Sequence, residues 1–251
     1  MLENKPVGGY FELELRKGAE FHNNAIRLNT GRNSFEYIVK ERNYKKIYLP
    51  FYTCNVILEP LERLGIDYSF YKIDTDFFPK FDFNKIKENE GFVYTNYYGI
   101  FTKHTHALKE VRNLIIDNAQ AFFSSPINKI DSFYSARKFF GVPDGAYLYT
   151  DLKLVQGMEQ DSSMDRFKHL IGRIDGHAEG FYQEYTDSNF KLRNQPIKTM
   201  STITQRIMMS INYNEIINVR RRNFNYLHEK LNDINKLKIE PCVSDVPMIY
   251  P

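Results

Sequence analysis

Between about residues 30 and 150, short runs of β-branched and aromatic side chains alternate with stretches whose apolar positions recur at helical spacing. The runs are "KKIYLP" (45–50), "YSFYKI" (68–73), "GFVYTNYYG" (91–99), "NLIIDNA" (113–119), "DSFYS" (131–135) and "GAYLYT" (145–150). "NVILEPLERLG" after the first run and "HALKEVRN" before the fourth read as helices. Strands alternating with helices predict an α/β fold, a three-layer αβα arrangement around a mostly parallel (mixed) sheet covered on both faces.

One helix start is well marked. In "RLNTGRNSFEYIVKERNYKK", Phe35, Ile38 and Val39 recur at helical spacing, and Asn29 or Thr30 is placed to cap the first turn. Residues 151–200 are polar and weakly periodic and read as connections. From Ser201 a long helical pattern runs through Ile203, Ile207, Ile211, Ile216, Phe224, Leu227 and Leu231, with a break near Asn212–Asn214. The chain closes on "PCVSDVPMIYP", a strand-like run. The expected organisation is a large domain over 1–200, then a linking helix and the start of a small α+β domain over 201–251.

Composition narrows the class only slightly. The 251 residues are 42% hydrophobic and 26% charged, with a net charge of +3, as in ordinary globular proteins. That charge gives no case for nucleic acid as a partner. The one basic triplet, Arg220-Arg221-Arg222, falls in a helical pattern and reads as a solvated face. Cys54 and Cys242 are too few for a disulfide framework, and neither they nor the six histidines have metal-ligand spacing. No window reaches the length and apolarity of a membrane span, and the first residues lack the apolar core of a signal peptide, so a cytoplasmic protein is expected.

Three positions carry chemistry. Gly31 lies at a helix mouth, where free backbone N–H groups and the helix dipole favour an anion. Asp117 follows the buried run Leu114-Ile115-Ile116, putting a carboxylate at the carboxyl end of a strand, where open α/β sheets bind ligands. Lys138 stands before the turn Gly141–Gly145 and beside Phe139 and Phe140, which reads as a dry wall around its amine. A phosphate seat, a carboxylate and a lysine together match the needs of pyridoxal 5'-phosphate: donors for its phosphate, an acid for its ring nitrogen, an amine for its aldehyde.

The segments "NTGRNSFEYI", "LPFYTCNVILEPLERLGIDYSFYKIDTD", "VYTNYYGI", "LIIDNAQAFFSS" and "SFYSARKFFGVPDGAYLYT" resemble the DegT/DnrJ/EryC1/StrS family, in order and in spacing, from about residue 7 onward. These are fold-type-I pyridoxal-phosphate-dependent sugar aminotransferases. The resemblance implies that Lys138 holds the cofactor's aldehyde and later moves the proton. It implies that Asp117 pairs with the ring nitrogen, with Gln120 beside the ring. Gly31 and Arg32 would meet the phosphate together with Ser132 or Ser135, and Asn96 would lie beside the cofactor. It further implies a homodimer, an amino-acid donor (glutamate) and a nucleotide-linked keto sugar as acceptor, in polysaccharide or modified-sugar biosynthesis.

The chain also departs from the family pattern. The helix mouth reads Thr-Gly-Arg rather than Ser-Gly-Thr, and the serine-to-lysine spacing is one residue longer, which leaves the phosphate serine open. The aromatic that stacks on the cofactor falls at Cys54, with Phe51 and Tyr52 as the neighbouring substitutes. Family members continue beyond this length, so a chain truncated at its C-terminus is expected, with "VPMIYP" as the first strand of the small domain. Two rivals follow. A sugar dehydratase of the same fold would carry histidine in place of Lys138. A degenerate, non-catalytic member would act by binding or assembly.

Overall fold

The computed structural model describes residues 8–9, 11–153 and 157–251; residue 7, where the resemblance begins, and part of the predicted connection at 154–156 lie outside the described residues. The first half of the chain runs β1 (Ile26–Leu28), α1 (Gly31–Glu41), β2 (Lys46–Pro50), α2 (Leu58–Leu64), β3 (Asp67–Ile73), β4 (Pro79–Lys80), β5 (Glu90–Thr95) and α3 (Thr102–Ala107). The second half runs β6 (Leu114–Asp117), β7 (Asp131–Ser135), β8 (Ala146–Tyr149), α4 (Lys168–Asp175), α5 (Tyr182–Lys191), α6 (Thr202–Ser210) and α7 (Tyr213–Leu231).

Eight strands of the described residues form one sheet in the order β1-β8-β7-β6-β5-β2-β3-β4. The central pairs β3–β2, β2–β5, β5–β6 and β6–β7 are parallel; β8 is antiparallel to both β7 and β1, and β4 to β3. Side chains alternate between two buried layers. Val93, Ile115, Phe133 and Leu148 pack against Phe35, Ile38 and Val39 of α1 and Leu61 of α2. On the other face, Phe92, Tyr94, Leu114 and Ile116 join a cluster that includes Phe224 of α7. Tyr134 and Tyr147 on that face join Met208 of α6, Phe122, Phe123, Phe139 and Phe140. Burial on both sides explains why these runs lack a polar alternate, and each fully buried side chain contributes roughly 2 kcal/mol.

Four expectations change. The helix predicted over "HALKEVRN" lies earlier, as α3, and residues 108–110 are turn; β5 delivers the chain there through a sharp bend at Tyr98 and Gly99. The stretch 151–200 is not merely connecting: it contains α4 and α5, whose apolar positions are too sparse for a periodicity signal because one face of each borders a cleft. The closing run 246–251 forms no strand; Met248 N instead donates to the Tyr98 carbonyl at 2.7 Å. Arg220 and Arg221 are not a solvated face. Arg221 Nε donates to the Asp245 carbonyl at 3.0 Å, Arg220 donates to the Met248 carbonyl at 3.0 Å, and the Arg220 guanidinium sits 4.6 Å from the Phe139 ring centre.

The break in the long helical pattern lies where the polar residues place it. Ser201 caps α6 and Asn212 caps α7, each side chain accepting a backbone N–H of its own first turn. Asp144, in the turn after Lys138, extends the first cap: its carboxylate accepts from Ser201 N at 2.8 Å, from Ser201 Oγ at 2.7 Å and from Thr204 Oγ1. The next residue, Gly145, has φ +111°, and a Cβ there would lie 2.9 Å from Thr204 Cγ2. The turn that presents Lys138 is thus fastened to the start of α6.

Candidate functional site

Strands β6 and β7 run parallel with Asp117 opposite Phe133, so their carboxyl ends lie side by side. Asp117 ends β6, Ser135 ends β7, and the helical turn Ala136–Lys138 follows at once. The mouth of α1 arrives at the same edge. Thr30 caps it, its side chain accepting from Asn33 N at 3.2 Å. A Cβ added to Gly31 would stand 3.7 Å from the Phe133 ring and 4.0 Å from the Ser135 Cβ, so the helix mouth abuts the end of β7.

A cleft of about 880 Å³ opens over this edge, with Gly31, Arg32, Cys54, Asp117, Ser135 and Lys138 in its lining. Asp117 Oδ1 accepts from Ala119 N at 2.8 Å, which fixes the carboxylate at the floor. Burial pushes its carboxyl above the usual range, while the positive charge of Lys138 and the Ala119 N–H pull it back. Five cations, Arg32, Arg137, Lys138, Arg173 and Arg193, line the cleft with Asp117 as its carboxylate. Arg32 is engaged by Glu59.

The dry-wall expectation for Lys138 holds only in part. Phe139 and Phe140 line the cleft beside it while packing into the aromatic cluster with Phe122, Phe123 and Tyr213, but Lys138 itself is exposed to solvent.

Five further predicted residues stand outside the cleft lining. Asn96 is fully buried, its amide donating to Asn118 Oδ1 at 3.0 Å and Ser124 Oγ at 3.1 Å. Gln120 Oε1 accepts from Tyr98 N at 3.1 Å and braces the bend after β5. Tyr52 stacks on Tyr97, with ring centres 5.7 Å apart, and its hydroxyl lies 3.0 Å from that of Tyr98. Phe51 packs on Phe70 at 5.7 Å. Neither aromatic therefore takes over at the wall, which Thr53, Cys54, Val56 and Ile57 form. Ser132 is fully buried on the face of β7 that carries Tyr134, opposite to Ser135. Period-two alternation assigns the cleft to Ser135.

Other cleft residues went unnoticed in the sequence. Tyr182, Tyr185 and Asn189 of α5, with Arg193 just beyond it, line the cleft at intervals of three or four, and His169 and Arg173 of α4, four apart, line it with Leu170. A polar face at helical spacing was the available signal. Arg137 Nη2 donates to Asn189 Oδ1 at 2.5 Å, and burial lowers its guanidinium below the usual range. Burial also lowers His169, with the charge of Arg137 acting in the same direction.

No family model and no curated protein matches this sequence. Solved structures do match. A sugar aminotransferase of Micromonospora echinospora (CalS13) superposes with a TM-score of 0.59 at 13% identity, over 91% of this chain and 67% of the other. AtS13 from Actinomadura melliaura gives 0.57 at 12% identity, over 91% and 66%. The GDP-4-keto-6-deoxy-D-mannose-3-dehydratase of E. coli, solved with bound hydrated pyridoxal phosphate, gives 0.53 at 14% identity, over 88% and 64%. These likenesses establish the fold. The chain spans about two thirds of the length of these neighbours.

Proposed function

We propose that this chain is the cofactor-binding part of a pyridoxal-phosphate-dependent aminotransferase, moving an amino group from an amino acid such as glutamate to a keto group of a nucleotide-linked sugar. One observation carries this reading: Asp117, Lys138, Ser135 and the mouth of α1, distant in sequence, converge on one cleft at the carboxyl edge of the sheet. The donor set suits the group. Backbone N–H groups at Gly31 and Arg32 and the Ser135 hydroxyl are donors for a phosphate, Asp117 is the acid for a ring nitrogen, and Lys138 Nζ is the amine for an aldehyde. The names of the fold neighbours, which include a sugar aminotransferase and a pyridoxal-phosphate-bound dehydratase, support the same class.

When bound, the cofactor supplies an electron sink for reactions at the carbon bearing the nitrogen. The chain supplies position and proton control. The Ala119 N–H keeps Asp117 oriented, and the carboxylate would favour a proton on a ring nitrogen held beside it. Lys138 reaches in from the mouth on a flexible stem, able to bond the aldehyde and, once released, to carry a proton across one face of the cleft. A lysine rather than a histidine here favours amino transfer over the dehydratase chemistry of its fold neighbour. As in the resembling family, the working enzyme in this reading is a homodimer.

The test is direct. The purified chain is mixed with pyridoxal phosphate, reduced with borohydride and digested, and the labelled peptide is identified by mass. The reading expects the label on Lys138 and none after Lys138→Ala. A chain that takes up no cofactor would favour the non-catalytic alternative, in which the fold acts by binding or assembly.

A further inference from the structure

We infer that Arg137, with Arg173 and Arg193, forms a second anion seat in the cleft, separate from the mouth of α1 and built to receive a phosphate-type group of the second substrate. The inference rests on the proposed function only in assigning the mouth of α1 to the cofactor's phosphate. Arg137 has a guanidinium held by Asn189 Oδ1 at 2.5 Å, and its Nε is enclosed without a hydrogen-bond partner. A buried charge is costly unless paired. Asp144, the carboxylate whose charge acts on Arg137, is taken up by Ser201 and Thr204, and Glu59, Asp161 and Glu184 are paired with Arg32, Arg166 and Lys168. Among the described residues, none forms an ion pair with Arg137.

The surroundings extend this cation into a wall. Asn189 lies on the face of α5 that also brings Tyr185 and, just past the helix, Arg193 to the cleft, while α4 brings Arg173. Burial and the charge of Arg137 both hold His169 below its ordinary range, which favours its neutral form. Three guanidinium groups exceed what a single carboxylate neutralises, and their planar donor forks match phosphate oxygens. A phosphoanhydride carrying two or more negative charges fits that count. Arg137 and Lys138 both line this cleft, so an anion seated on Arg137 would hold the substrate's charged arm in the same cleft as the reacting amine.

The probe is inorganic pyrophosphate, titrated calorimetrically at low salt into the chain before and after borohydride fixation of pyridoxal phosphate. Binding to both forms is expected, weakened about tenfold to a hundredfold by Arg137→Gln and less by Arg193→Gln, the scale set by loss of one charge-assisted hydrogen-bond pair. The Arg193 variant, at an exposed position, keeps the test open should Arg137→Gln fail to fold. Equal binding to both variants and to the parent would overturn the inference, as would no binding at all. So would loss of binding once the cofactor is fixed, which would assign Arg137 to the cofactor's own phosphate. Glutarate binding as tightly as pyrophosphate would overturn the phosphate assignment. If Lys138 takes no cofactor yet pyrophosphate binding still depends on Arg137, the second seat stands and the aminotransferase reading falls.

Discussion

Arg137 and Asn189, 52 positions apart, are joined by a hydrogen bond of 2.5 Å that ties the turn bearing Lys138 to helix α5. This bond makes α5 a wall of the cleft rather than a peripheral helix. The charge of the cleft follows from it, because Arg193 and the facing Arg173 enter with these helices.

Asp117→Asn separates cofactor uptake from turnover. An amide replaces the carboxylate without changing its size, so labelling of Lys138 is expected to persist. Amino transfer is expected to fall by about a hundredfold or more, the scale of removing one preorganised electrostatic partner from a reaction centre. Single-turnover spectroscopy with glutamate checks both; turnover unchanged in the variant would remove Asp117 from the proposed role.

His22 predicts a pH dependence of stability. Its Nε2 meets the Phe122 carbonyl at 2.6 Å, which makes that nitrogen the donor, and Nδ1 then accepts from the Tyr149 hydroxyl at 3.1 Å. Burial lowers its pKa from 6.5 to about 4. The folded state therefore resists a proton that the unfolded chain accepts. The stability tied to neutral His22 is fully present above pH 6.5 and is lost as pH falls toward 4, by about 3 kcal/mol. Urea midpoints over that window should drop more steeply in the parent than in His22→Gln; parallel curves would contradict the assignment.

Asp144→Ala should loosen the lysine turn. It removes three acceptor contacts at the start of α6 and leaves Ser201 N, Ser201 Oγ and Thr204 Oγ1 to find other partners. A loss of about 1–3 kcal/mol in unfolding free energy is expected. Reduced labelling of Lys138 at concentrations that saturate the parent should accompany it. A variant as stable as the parent would show that this cap does not hold the turn.

Gly99→Ala tests the seat of the closing segment. Gly99 has φ +70°, and a Cβ there would lie 2.8 Å from the Val246 carbonyl oxygen and 3.0 Å from that of Gln120. Both are backbone atoms, so the strain cannot be relieved by a side-chain rotation. More than about 1 kcal/mol of destabilisation is expected. Faster amide exchange at Met248, whose N–H reaches the Tyr98 carbonyl, should follow; unchanged exchange would argue against this contact as the anchor.

The parts of the site legible in the sequence are those with a local cause. Thr30 and Gly31 are a helix cap and its mouth, Asp117 follows an unbroken apolar strand, and Lys138 follows the end of β7. Ser132 and Ser135 could not be separated by motif spacing alone. Strand alternation separates them once the faces of β7 are known, because Phe133 packs under α1 with Ser135 on its side. Asn96, Gln120 and Tyr52 carry polar groups suited to a site, yet each is used by the scaffold, through Asn118, Tyr98 and Tyr97 respectively.

By itself the sequence determined the alternation of elements, the helix caps and the order of the chemical groups, since these depend on side chains a few residues apart. Tertiary structure decided which groups share a cleft and which way each points. It exposed Lys138 while burying most of Phe139 and Phe140 beside it, brought α4 and α5 over the sheet edge, and turned Arg220 and Arg221 onto the carbonyls of the closing segment. The physical reason is that burial and pairing depend on distant partners, and no local pattern records which partner a charged side chain will meet.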